Sequence, residues 1–200
     1  MARWLFLGAA LLFAAMWYSR TPATHLPPPG VLAPQQPAQR SIAPREWPHG
    51  EFKIEALAEF ALTARVLSRA DYSFGIESEL APTDLAFGWG QMSDSAVLER
   101  LDIRQSGRWY HYRWGADGPP IPQDEIVRSS ANMHLIPANA EVAAALKRVR
   151  AGQLVSLRGL LVAVERGDGW QWRSSLSRED SGAGACELIW VEQLTSRSQH

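Results

Sequence analysis

Asn132 and His134 lie two residues apart in RSSANMHLIPAN (128–139), so an extended strand would place both on one face, between apolar Met133, Leu135 and Ile136. A same-face Asn–His pair can orient a water, carry a proton or contribute to a metal site. It can equally be a hydrogen-bonded stitch that satisfies neighbouring backbone groups. Asp84 and Asp94 in LAPTDLAFGWGQMSD (80–94) add two carboxylates of the type used as metal ligands or acid/base groups. Together, Asp84, Asp94, Asn132 and His134 define the catalytic reading, a small hydrolase with or without the help of a metal. Against it, both aspartates sit where turns and helix starts want them. A zinc site takes roughly three or four ligands, and no HExxH, HxH, Cys/His set, GxSxG, P-loop or dinucleotide fingerprint occurs. The structural reading is preferred for all four residues, and no metal or cofactor is expected.

Two aromatic features could bind a ligand. Trp89 is flanked by Gly88 and Gly90 and is either a platform for a ligand or a plug dropped into the core; the plug is preferred. GRWYHYRW (107–114) interleaves aromatics with arginines. On a strand Trp109, His111 and Arg113 share one face and Tyr110, Tyr112 and Trp114 the other. One of these faces must fill the core. The expectation is that Trp109 is at least half buried, while a binding role for the Trp109–His111–Arg113 face stays open.

These residues need elements to position them. FALTARVLSRADY alternates Phe60, Leu62, Ala64 and Val66 against Ala61, Thr63 and Arg65, which predicts a strand over 58–69. MSDSAVLERLD predicts a short helix with Ser93 as its cap and Asp94 in its first turn. IRQSGRWYHYRW predicts a hairpin around Ser106-Gly107. Asn139 should cap a helix carrying Val142, Leu146 and Val149, with Gly152 past its end. QLVSLRGLLVAVE is a strand whose Gly159 permits tight coiling or a bulge. A Gly-Asp-Gly turn then leads to another strand, and ACELIWVEQL is the last.

The order strand, helix, strand, turn, strand, preceded by an early strand and the aromatic hairpin, predicts an α+β domain of mainly antiparallel β structure. It matches a small OB-like barrel with one helix between late strands, residues 70–100 being an inserted loop and helix region. Another small antiparallel arrangement is the alternative.

The 200 residues suit one domain with extra chain. From Gly50 onward 16 Lys and Arg face 20 Asp and Glu, a net of −4, so nucleic acid is not an expected partner. Cys186, the only cysteine, excludes an intrachain disulfide and reads as a buried, inert thiol.

The amino terminus addresses the domain. Arg3 precedes an uncharged apolar run, Trp4–Tyr18, closed by Arg20. At about 1.5 Å per residue the run reaches about 22 Å, short of a roughly 30 Å hydrocarbon core and equally suited to a secretory signal. Poor cleavage motifs at Phe13-Ala14-Ala15 and Thr21-Pro22-Ala23 favour an uncleaved anchor over residues 1–20. Residues 21–50 hold eight prolines and predict an extended linker. A single β-rich domain is expected over 51–195, with a disordered tail at 196–200.

LSRADY, LAPTDLAFGWGQMSD, SGRWYHYRW, SSANMHLIPAN, GQLVSLRGLLV and SSLSREDSGAGACELIWVE together resemble a family of uncharacterised bacterial proteins that are membrane-anchored or exported. The likeness covers most of residues 60–193. It implies an anchored or exported globular domain and brings no activity, cofactor or catalytic residue; together with the leader it predicts a domain in the periplasm, held by a single-pass inner-membrane helix or exported after cleavage. A non-catalytic binding or assembly module, with an envelope protein as partner, is the expected function.

Overall fold

Phe60, Leu62, Ala64 and Val66 are all buried, as their alternation predicts, but the strand that carries them is longer than the pattern suggests. It is β2, Phe52–Asp71, in a computed structural model that describes residues 27–177 and 186–198. The leader read at 1–20 lies outside these residues. Among the described residues no helix is long and apolar enough to cross a membrane.

The remaining strands are β1 (Ala38–His49), β3 (Thr83–Gly88), β4 (Leu101–Ser106), β5 (Trp109–Trp114), β6 (Ser130–Pro137), β7 (Leu154–Arg166), β8 (Gln171–Arg173) and β9 (Glu187–Arg197). Short helices α1 (Ile76–Leu80), α2 (Ser95–Leu98) and α3 (Gln123–Arg128) interrupt them, and α4 (Ala140–Arg148) joins β6 to β7. The fold is α+β with mainly antiparallel β structure. The main sheet runs β1-β2-β3-β6-β9-β7-β8, and β7 pairs with β2 as well. Among the described residues only β6 and β9 run parallel.

Bulges bend this sheet. At Leu57 the register of β2 against β7 slips, so Ala56 faces Val162 but Ala58 faces Leu161. Phe52, Ile54 and Ala56 therefore join one apolar cluster, with Leu160, Val162 and Val164. Ala58 to Val66 join another, with Leu157, Leu161, Met133 and Leu135. One unbroken alternation thus serves two cores, because a bulge exchanges the faces. A second slip falls between Arg158 and Gly159 opposite β9. A Cβ on Gly159 would collide with the Trp190 carbonyl, which is the physical reason for glycine there.

Helix α4 forms as its sequence predicts. Asn139 caps it by accepting from Val142 N at 3.0 Å. Val142, Leu146 and Val149 are buried in the first core. Gly152 takes φ +86° beyond its end.

Several expectations are corrected. The proline-rich stretch expected as linker over 21–50 contributes β1, paired antiparallel to β2 from Ala38 to His49. Its prolines are compatible with this because β1 is the sheet's edge, and Pro44 falls inside a register break between Ser41 and Arg45. Residues Pro27–Ala33 are also held down: Ser95 Oγ donates to the Pro27 carbonyl at 2.6 Å, and Ser93 Oγ accepts from Leu32 and Ala33 N. The region 70–100, expected as an insertion, supplies β3, wholly buried between β2 and β6. The aromatic hairpin β4–β5, expected among the main strands, forms a separate two-stranded sheet. Asp94, not Ser93, caps α2, accepting from Ala96 N. The tail expected from 196 is still strand at Ser196 and Arg197, which pair with Val155 and Leu154.

Candidate functional site

Cross-strand pairing creates the site. Asp84 on β3 lies opposite His134 on β6, and Ala86 lies opposite Asn132. Side chains of directly paired residues share a face, so Asp84, Asn132 and His134 project together, away from Leu85, Met133 and Leu135 in the first core. Asp84 is 0% exposed and His134 4%. His134 Nδ1 comes within 2.9 Å of Asp84 Oδ1, a close approach without the alignment of a hydrogen bond.

The tip of the β4–β5 hairpin closes over this face. Its two turn residues are Gly107 and Arg108, at φ +57° and +67°, one position later than the predicted Ser106-Gly107. Among the described residues Arg108 alone is a non-glycine at positive φ. Its Nη1 donates to Asp84 Oδ1 at 2.9 Å, and Nη1 and Nη2 both reach the Ala81 carbonyl at 3.1 Å. Its guanidinium carbon lies 4.2 Å from the Tyr72 ring centre and 5.3 Å from that of Trp172. The Arg108 backbone is pinned too. Its N–H donates to the Tyr72 hydroxyl at 3.0 Å, and its carbonyl accepts from Asn132 Nδ2 at 3.0 Å. Asn132 Oδ1 in turn accepts from Gln105 Nε2 at 2.6 Å. His134 packs against Trp172, ring centres 4.8 Å apart.

Burial raises the Tyr72 hydroxyl above its ordinary range, with the Asp84 charge adding to it and the Arg108 contacts opposing. Cys186 is partly buried. Burial first, then the charges of Glu187 and Asp84, push its thiol up to about 11, against a hydrogen bond with Asn132. A thiol with that pKa stays protonated at neutral pH and is a poor nucleophile, in keeping with the inert reading although its burial is incomplete.

The four catalytic candidates are only partly brought together. Asp84, Asn132 and His134 share one face. Asp94 is engaged elsewhere, its Oδ1 accepting from Gly30 N and Ala96 N, both at 2.9 Å. Among the described residues no group of three or more His, Cys, Asp or Glu is arranged to hold a metal ion.

The ligand-binding candidates also divide. Trp89 is 1% exposed and belongs to the first core, as the plug reading holds. A Cβ on Gly88 would strike the Met92 carbonyl, so the preceding glycine is there for close approach. Trp109, His111 and Arg113 form the outward face of β5. Trp109 is 42% exposed, and the inward face is Tyr110, Tyr112 and Trp114. Tyr112 and Trp114 pack on Met92, Leu101, Ile121 and Ile126, while burial pushes the Tyr110 hydroxyl strongly up.

Arg108, Tyr72, Gln105 and Trp172 escaped sequence reasoning. One signal was available for Arg108: a two-residue hairpin turn favours Gly or Asn at both positions, so an arginine there points to a role for its side chain. No family model, curated protein or solved structure matches this chain.

Proposed function

We propose that this chain is a non-catalytic binding or assembly module, carried on an inner-membrane anchor and working in the periplasm of a bacterium. The observation that carries the reading is the use made of the polar residues. Asp84 and Asn132, two of the four residues that a hydrolase would need free, hold Arg108 and Gln105 of the β4–β5 hairpin. The hairpin is thereby fixed with Trp109, His111 and Arg113 outward, and a rigid aromatic and arginine surface of that kind suits an interface hot spot. An envelope protein is the partner class, since the excess of acid from Gly50 onward disfavours a polyanion.

The same reading takes the fold as an OB-like barrel. Its support is the ring of pairings β2–β3, β3–β6, β6–β9, β9–β7 and β7–β2, with α4 between β6 and β7. The address rests on the apolar run Trp4–Tyr18 and on the resemblance to anchored or exported bacterial proteins.

Two measurements on the full-length chain in cells test it. A photo-crosslinking residue at position 111 should give a discrete adduct with an envelope protein, lost when Trp109→Ala is added. A chain that gives no adduct overturns the module reading. Phosphatase fused after His200 should be active; cytoplasmic fluorescence of a fluorescent-protein fusion, without phosphatase activity, overturns the address.

A further inference from the structure

We propose that the pocket filled by Arg108 is a guanidinium receptor, occupied in this chain by its own hairpin and able to accept a guanidinium group from outside. The receptor consists of Asp84, the Ala81 carbonyl and the rings of Tyr72 and Trp172, all contributed by residues outside the hairpin. A carboxylate with aromatic faces on the cation is the combination that selects a planar, weakly hydrated guanidinium over an ammonium. This inference does not depend on the outward face of the hairpin being a docking surface.

Two observations distinguish a receptor from a simple structural ion pair. First, the self-ligand fits imperfectly. Arg108 engages only Oδ1 of Asp84, and Oδ2, on a side chain that is 0% exposed, makes no well-aligned hydrogen bond, although the Tyr72 hydroxyl interacts with this carboxylate. A carboxylate normally meets a guanidinium through two parallel hydrogen bonds, and a poorly satisfied buried oxygen opposes folding. A guanidinium not tethered to the turn is free to use both oxygens. Second, the self-ligand sits at a position the turn would rather give to glycine, because Arg108 holds a left-handed backbone that glycine would adopt without cost.

The ligand class is therefore a guanidinium, either on an arginine side chain of a partner or on a small molecule. The test uses purified full-length protein with Arg108→Gly, which empties the pocket and relaxes the turn. Titration with methylguanidinium should raise the melting temperature and shift the Trp172 indole N–H resonance saturably, with a dissociation constant on the order of 1 mM. Methylammonium should bind at least about tenfold more weakly, and adding Asp84→Asn should abolish the effect. An acetyl-Gly-Arg-Gly-amide peptide that binds more tightly than methylguanidinium identifies a partner's arginine as the source. Equal or weaker peptide binding identifies a small guanidino compound.

If Arg108→Gly does not fold, Arg108→Gln, which can still donate to the Ala81 carbonyl, replaces it. A folded variant with no saturable response, or one indifferent to Asp84→Asn, overturns the proposal. So does failure of both variants to fold with methylguanidinium present, because the guanidinium is then part of the fold and not an exchangeable ligand.

Discussion

Asp84 meets both Arg108 and His134 from a fully buried position. Asp84→Ala leaves the Arg108 guanidinium, itself mostly enclosed, beside two rings without its counter-charge. Removing one partner of a buried pair is costlier than the pair's own worth, and a loss of about 3 kcal/mol is expected in denaturant unfolding. An unchanged midpoint and slope would show that the pair is only a surface bridge. Cys186 offers a pH test. Its folded pKa is raised to about 11, so the native thiol should react with iodoacetamide at a rate that climbs through that value. The unfolded thiol, near 8.5, should react sooner. The linkage sign follows: between about pH 9 and 11 the unfolded state binds fewer protons, so stability contributed by the protonated thiol falls as pH rises. A native rate that levels off near pH 9 would contradict the buried environment.

The β4–β5 hairpin is held at both ends by different forces. Near its base Ile103, Tyr112 and Trp114 pack on Met92, Leu101 and Ile126; its tip is held by polar contacts of Arg108 and Asn132. Substitutions on the two faces of β5 should therefore differ sharply. Trp109→Ala should cost about 1 kcal/mol or less, because the ring is already 42% exposed. Trp114→Ala removes a core-facing ring and should cost about 3 kcal/mol. Thermal melts of both variants measure this contrast, and equal losses would mean that both faces are packed. Alternation in GRWYHYRW divided these residues into two faces correctly. It could not say which face would turn inward, because both are aromatic and the choice depends on the surface that α3 and the turn at Gly90–Ser93 present.

At the scale of the molecule, the folded unit begins before the sequence pattern changes at Phe52. Trp47 of β1 meets Trp190 edge to face at 5.4 Å, and Ile42 packs on the same cluster. Upstream, Gly90 N donates to the Ala33 carbonyl at 2.8 Å, and Ala33 is buried in the first core. A fragment starting at Pro27 should melt at least about 10 °C above one starting at Gly50, since each kcal/mol shifts a domain of this size by about 2–4 °C. Identical melting temperatures would remove β1 and its approach from the folded unit.

What the sequence by itself determined was local. The alternation of β2, the Asn139 cap and the Val142–Leu146–Val149 stripe of α4, and the shared face of Asn132 and His134 all depend on spacing within a few residues, and each formed where the pattern placed it. The α+β, mainly antiparallel class followed from those elements. Only the tertiary structure decided the partners. Prolines mark a stretch as unsuited to a central strand without excluding an edge, so β1 was read as linker. The buried β3 has no polar alternation to announce it, since both its faces are covered. Asp84 finds Arg108 24 positions away and Asn132 finds Gln105 27 positions away. Such contacts depend on how the hairpin closes over the β3–β6 face, and nothing in the residues neighbouring either partner encodes that meeting.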